Sequence, residues 1–290
     1  MKINAYENRI VVSDLEFFDI KQTFDCGQCF RFDPVNAEGG GVTYDGVAFG
    51  KYVRLSQNFG KLTLYNTDEA EFEQIWKPFL GLDEDYGAIR GSLSGVGGEY
   101  LDSAMVTGQG IRILRQDPWE ALCSFIISQN NNIPRIKSLV SALCKRYGEK
   151  IDVSLPDGTV KQCYSFPSAK DLYENASVSG LQNLKMGFRA KYIMDAAEKV
   201  ALGILDLELV REMTPEDAMA VLMSVNGVGP KVASCALLYG LYRTDFFPID
   251  VWMKRIIENR YGGELDIAAL GKYAGLAQQY MFYHERTLDK

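Results

Sequence analysis

The amino-acid sequence predicts an α+β protein: an antiparallel β-rich N-terminal part, then a larger α-helical part. Three observations carry this expectation. Before residue 67, short β-prone runs are split by Gly and Asn. After about residue 112, apolar residues recur at helical spacing behind residues that cap helices. The 290 residues, 47% apolar and 12% aromatic, suffice for one large domain or two ordinary ones.

The β-prone runs cover residues 30–32, 41–48, 52–56 and 62–65 and read as an antiparallel meander. From Thr67 the pattern turns helical, with Thr67-Asp68-Glu69-Ala70-Glu71 capping a segment through Trp76 and Phe79. Asp117-Pro118-Trp119-Glu120 joins a capping aspartate to a proline at the first helical position. Ala121, Leu122, Phe125 and Ile126 then share one face. Pro134 opens a further helix with Ile136, Leu139, Val140 and Leu143. Residues 151–166 form either a small hairpin or a loop. Ser168 and Thr214-Pro215-Glu216-Asp217 each start another helix.

The formal charge of −7 argues against a protein that coats nucleic acid non-specifically. It leaves room for a local basic face. Acids dominate residues 67–103, with only Lys77 and Arg90 opposing them. Between residues 112 and 150 the balance reverses, through Arg112, Arg115, Arg135, Lys137, Lys145, Arg146 and Lys150. Those charges either form a basic surface or are solvated helix faces. The single histidine, His284, excludes a His-rich zinc site.

Cys26-Gly27-Gln28-Cys29 has CxxC spacing, but there is no second CxxC to complete a zinc site. Cys29 leads into Phe30-Arg31-Phe32, which alternates like a strand and not like the helix of a thioredoxin-like site. Coincidental spacing is therefore favoured, and no cofactor is expected. The first twenty residues lack the apolar region of a signal peptide. The longest apolar stretch, near residues 236–242, is too short to cross a bilayer. The expectation is a cytoplasmic protein, nucleoid-associated if prokaryotic, with no membrane partner.

The most informative segment runs Leu222-Met-Ser-Val-Asn-Gly227-Val-Gly229-Pro230-Lys231-Val-Ala-Ser-Cys235. One helix ends near Val225, Gly227 and Gly229 permit a tight turn, and Pro230 opens the next helix. This is a helix–hairpin–helix, whose backbone N–H groups can approach a phosphate oxygen. Lys231 sits in the first turn of the second helix, where the dipole disfavours an ammonium. It is either a phosphate contact or a nucleophilic amine able to form a Schiff base. Asp250, in Phe246-Phe247-Pro248-Ile249-Asp250-Val251-Trp252, reads as a helix N-cap. Its carboxylate could also stabilise a cationic sugar or assist proton transfer.

Hairpin, lysine and downstream aspartate resemble the helix–hairpin–helix glycosylases with a Gly/Pro-Asp loop (HhH-GPD). Within them the chain resembles the 8-oxoguanine DNA glycosylase/AP lyases. Three further segments carry the narrower resemblance. They are the run from Asp117 through Asn130 to Arg135 and Ile136, the Gly27-Gln28-Cys29-Phe30-Arg31 motif, and the Tyr273-Ala-Gly-Leu-Ala-Gln278-Gln-Tyr-Met-Phe282 helix. Together they extend from about residue 24 to 282.

The resemblance implies a β-rich, TBP-like domain over residues 1–111 and a helical HhH-GPD glycosylase domain over 112–290. It implies a monomeric base excision repair enzyme acting on double-stranded DNA that carries oxidised guanine opposite cytosine. Lys231 would attack the sugar C1′, and the resulting Schiff base would allow β-elimination. Asp250 would stabilise positive charge on the sugar. Gly27 would offer its carbonyl to N7–H of 8-oxoguanine, where normal guanine has a lone pair. Cys235 and Phe282 would sandwich the flipped base, and Gln278 would bond its Watson–Crick edge. Asn130, Arg135 and Arg189 would engage the cytosine left behind, in competition with plain phosphate contacts for the two arginines. Phe188 would pack against DNA, and Gly227 and Gly229 would let the hairpin approach it. No metal enters this route.

The chain departs from the family in places. Phe188 stands where tyrosine is frequent, Trp252 where some members have histidine, and Ser234 where some have an acid. Two other readings compete: an alkylated-base glycosylase of the same superfamily, which typically lacks the hairpin lysine, and a non-catalytic hairpin module that only holds DNA.

Overall fold

The computed structural model describes residues 1–36, 41–155 and 158–288. The N-terminal part is a six-stranded antiparallel sheet of β1 (Lys2–Tyr6), β2 (Arg9–Ser13), β3 (Phe32–Val35), β4 (Val42–Ala48), β5 (Lys51–Asn58) and β6 (Lys61–Tyr65). Their spatial order is β1-β2-β6-β5-β4-β3. β3 to β6 form the expected meander. The β1–β2 hairpin, not anticipated from sequence, extends it beyond β6. Ile10 and Val12 of β2 are fully buried, whereas every residue of β1 is exposed. β1 is thus held by backbone pairing, with almost no side-chain pattern to announce it.

The strand expected at residues 30–32 begins instead at Phe32. Phe30 turns the other way and packs edge-on against Phe125 of the helical part, with ring centroids 5.7 Å apart. Asp68 caps a helical run from Glu69 to Phe79 that contains one wide turn at Phe72–Trp76. Phe72, Trp76 and Phe79 bury against the sheet.

The second core is helical. It includes helices Tyr86–Leu93 and Gly98–Thr107, whose Gly-rich flanks hide their periodicity in the sequence. Residues 111–117 form no regular secondary structure and run between the two cores. Ile111 and Ile113 enter the helical one, and Leu114 enters the sheet's. The expected boundary at 111/112 falls inside this shared segment.

Asp117 caps helix Pro118–Ser128, Asn132 caps Ile133–Tyr147, Ser168 forms a capping box on Ala169–Asn175, and Thr214 caps Pro215–Met223. Residues 151–166 resolve into a hairpin of β7 (Lys150–Ser154) and β8 (Val160–Tyr164), with residues 156–157 outside the described part. The hairpin reaches back to the sheet, where Val153 packs with Val47 and Tyr52 and Lys161 bridges to Asp45 at 2.9 Å. The chain closes with helices Pro230–Tyr239, Val251–Tyr261 and Ala274–Leu288. Among the described residues, no helix is long and apolar enough to cross a membrane.

Candidate active site

Where the N-terminal loop at Gly27 meets the hairpin and the C-terminal helix, a cleft of about 740 Å³ opens. Nine of the twelve predicted site residues line it: Gly27, Asn130, Phe188, Gly229, Lys231, Cys235, Asp250, Gln278 and Phe282. Arg135, Arg189 and Gly227 lie outside its lining.

The hairpin between helices Pro215–Met223 and Pro230–Tyr239 is fixed from behind. Gly227 has φ +75°, and a Cβ there would fall 2.3 Å from the Tyr192 ring. Only glycine lets the turn lie on that tyrosine. Gly229 is the opposite case: a Cβ there would meet nothing within 4 Å, so its open face is free for a ligand. Asp195 grips the turn through Asn226 N and Nδ2, both at 2.8 Å, and Lys199 Nζ donates to the Ser224 carbonyl at 2.7 Å. Sequence reading missed both residues, because neither is local to the hairpin.

Pro230 starts the next helix, so Lys231 falls in its first turn and Cys235 one turn later on the same face. Lys231 Nζ lies 3.4 Å from Ser128 Oγ and 5.2 Å from the Phe125 ring centroid. Cys235 is 3% exposed. Burial pushes its thiol up, with the Lys231 amine opposing. Asp250 caps helix Val251–Tyr261, its Oδ1 accepting from Trp252 N at 3.0 Å and Met253 N at 2.9 Å. Its other oxygen takes no part in that cap, and Asp250 lines the cleft.

The end of the cleft at Gly27 is built from two distant segments. Gly27 has φ +86°, and a Cβ there would meet Ile133 at 3.3 Å and Phe282 at 3.6 Å. A side chain is thus disfavoured by backbone conformation and by space. Phe282 faces this loop, with Trp252 edge-on behind it at 6.5 Å. Trp252 here buttresses an aromatic wall. Gln278 is 5% exposed, and its Oε1 has no partner among the described residues. A buried acceptor without a donor is costly unless a ligand supplies one.

Asn130 protrudes on the rim, exposed and left-handed at φ +51°. Arg135 is exposed near it. Arg189 is different: it is 7% exposed, and its guanidinium donates to the carbonyls of Gln129, at 2.9 Å from Nε, and Met186. Burial, then the neighbouring Arg135, pushes it below the ordinary guanidinium range. In this conformation Arg189 holds the turn that carries Asn130 and does not face solvent. Phe188 stands exposed beside it, 4.4 Å from that guanidinium.

The two cysteines flanking Gly27-Gln28 point into different cores, Cys26 into the helical one and Cys29 into the sheet's. Burial raises each thiol to about 12. Both are therefore buried, protonated thiols at neutral pH.

A part-buried amine and a carboxylate thus line one cleft with an unpartnered buried acceptor, an arrangement that can present a nucleophile to an electrophilic carbon of a bound ligand. Comparison with known proteins gives the same direction. Residues 9–122 match the family model for the 8-oxoguanine DNA glycosylase N-terminal domain, and residues 123–266 that for the HhH-GPD superfamily base excision DNA repair protein. The chain is similar to the N-glycosylase/DNA lyase of Saccharomyces cerevisiae, 40% identical over 168 residues. That match spans 54% of this chain and only 44% of the yeast protein. The fold superposes with TM-score 0.91 on MBOgg1 in complex with a low-affinity DNA ligand, at 40% identity and covering 100% of both chains. It superposes with TM-score 0.89 on the Clostridium acetobutylicum 8-oxoguanine glycosylase/lyase bound to double-stranded DNA with cytosine opposite 8-oxoguanine. Identity there is 33%, over 100% of this chain and 99% of that one.

Proposed function

The chain belongs to the HhH-GPD superfamily of base excision DNA repair proteins, with an 8-oxoguanine DNA glycosylase N-terminal domain, and on that premise we propose that it excises 8-oxoguanine from double-stranded DNA and nicks the strand through Lys231. One observation carries the reading: Lys231, Asp250, Gly27, Cys235, Gln278 and Phe282 all line a single cleft. A non-catalytic hairpin module would need neither the anchored amine nor the base-sized slot.

In the proposed reaction the damaged nucleotide rotates out of the duplex, at a cost of a few kcal/mol of unstacking. The Lys231 amine attacks C1′. The bond from C1′ to the base N9 breaks, and the base leaves with that electron pair and takes a proton. Opening of the sugar gives a protonated Schiff base between C1′ and Nζ. Loss of a proton from C2′ then expels the 3′ phosphate, which is the strand break. Asp250 stabilises the cationic sugar through its charge and is held in place by the two backbone donors. The Gly27 carbonyl accepts N7–H of 8-oxoguanine and repels the N7 lone pair of guanine. Cys235 and Phe282 hold the base from either side, and Gln278 meets its Watson–Crick edge. Asn130 and Arg135 meet the opposite cytosine directly, whereas Arg189 reaches it only by giving up the Gln129 carbonyl. Phe188 packs on the duplex, and the Gly227–Gly229 turn takes a phosphate.

The protein acts as a monomer in this reading, in the cytoplasm or on the nucleoid, with residues 1–111 and 112–290 as its two domains. The test is release of base and strand nicking on duplexes carrying 8-oxoguanine opposite each of the four bases, with guanine and 7-methylguanine duplexes as controls. Fastest excision of 8-oxoguanine opposite cytosine supports the reading. Preferred release of the methylated base, without nicking, would replace it with the alkylated-base reading.

A further inference from the structure

Gln278 and Gln279 are neighbours on helix Ala274–Leu288, yet their side chains are used differently. Gln278 leaves its acceptor open, whereas both ends of Gln279, 1% exposed, are engaged inside the protein. Gln279 Nε2 donates to the Cys26 carbonyl at 2.9 Å, and Tyr239 OH donates to Gln279 Oε1 at 2.5 Å. Tyr239 is 4% exposed and stacks on Phe125 at 5.2 Å, the ring that carries the Lys231 amine on its face. A buried column therefore joins the amine to the residue just before Gly27.

On the other side of Gly27 a second set of bonds holds Gln28, which is fully buried. Its Nε2 donates to the carbonyls of Thr23 at 2.9 Å and Arg112 at 2.7 Å, and Gln116 Nε2 donates to the Gln28 carbonyl at 2.7 Å. Gly27, at φ +86°, is the one residue between these clamps, and glycine is the residue most able to rotate its peptide. Releasing the Cys26 carbonyl would free the peptide that sets the direction of the Gly27 carbonyl.

We propose that Gln279, oriented by Tyr239, is a positioning residue that aims the Gly27 carbonyl and thereby sets discrimination between oxidised and normal guanine. The inference rests on the reading of Gly27 given above. Gln279→Glu keeps an acceptor for Tyr239 but presents an oxygen to the Cys26 carbonyl, turning attraction into repulsion. Tyr239→Phe leaves the amide in place but untethers it.

The experiment compares single-turnover excision of 8-oxoguanine with nicking of a preformed abasic site, which has no base to read. Gln279→Glu should lower excision roughly tenfold more than nicking, and shrink the rate ratio of 8-oxoguanine over guanine. Tyr239→Phe should shift both ratios the same way by about two- to fivefold, the scale of one hydrogen bond. Gln279→Met, of similar length and without either hydrogen bond, serves if the glutamate variant does not fold. Equal loss of excision and nicking, or an unchanged ratio in a folded variant, would overturn the proposal. A wild-type protein that nicks abasic DNA but leaves 8-oxoguanine in place would overturn the function reading itself, and this inference with it.

Discussion

The amine of Lys231 lies 3.4 Å from the hydroxyl of Ser128, joining the start of one helix to the end of another. Lys231 is in the first turn of Pro230–Tyr239, and Ser128 is the last residue of Pro118–Ser128. The amine thus stands between the positive pole of one helix dipole and the negative pole of the other. Ser128 Oγ donates to the Phe125 carbonyl at 2.7 Å, which turns a lone pair toward the amine. Ser128→Ala should therefore slow Schiff-base formation about two- to tenfold without abolishing it. Single-turnover trapping rates check this, and an unchanged rate would remove Ser128 from the site.

Asp250 has two separable roles. As an N-cap it contributes about 1 kcal/mol to stability, and asparagine caps equally well. Asp250→Asn should leave the melting temperature nearly unchanged while lowering base release at least ~100-fold through the lost charge. Asp250→Ala should lose both. Calorimetry beside excision assays separates the two, and equal activity of aspartate and asparagine would deny the carboxylate an electrostatic role.

The two arginines near the rim should answer differently. Arg135 is exposed, so Arg135→Ala should weaken DNA binding and reduce the salt slope by about one released ion, with little change in stability. Arg189→Ala would leave the Gln129 carbonyl without its donor, costing about 1–3 kcal/mol and loosening the turn at Asn130. A drop of several degrees in Tm for Arg189→Ala alone is the expected pattern. Equal Tm values would mean that Arg189 does not anchor that turn.

The buried thiols predict an alkaline limit. Cys26, Cys29 and Cys144 rise from 9.0 to about 12 on folding, through burial. Between those values the unfolded chain has lost these protons and the folded chain has kept them. The folded state therefore loses stability as pH rises above 9. Urea midpoints across pH 8 to 11 should fall accordingly. At pH 8 the half-buried Cys163 should react first with a thiol reagent. Rapid native-state labelling of Cys26 or Cys29 would contradict their burial.

Much of this was legible in the sequence because it is local. Asp117, Ser168, Thr214 and Asp250 announce their helices within four residues, and the turn at Gly227 announces the hairpin. The missed parts are non-local or lack pattern. β1 buries no side chain, so no alternation marks it. Helices Tyr86–Leu93 and Gly98–Thr107 sit among glycines that blur a 3.6-residue period. Arg189 lies in a recognisable loop, but whether its guanidinium faces DNA or the Gln129 carbonyl depends on a contact sixty residues away. Gln279 meets Cys26 across 253 residues, which no local rule anticipates.

The central claim is that Lys231 forms a covalent bond to the sugar of an excised 8-oxoguanine. Borohydride trapping on a duplex with one 8-oxoguanine opposite cytosine tests it most directly, with Lys231→Gln in parallel. A covalent protein–DNA adduct with the wild type and none with the variant is the predicted result. Base release without any adduct, or an adduct that survives Lys231→Gln, would contradict it.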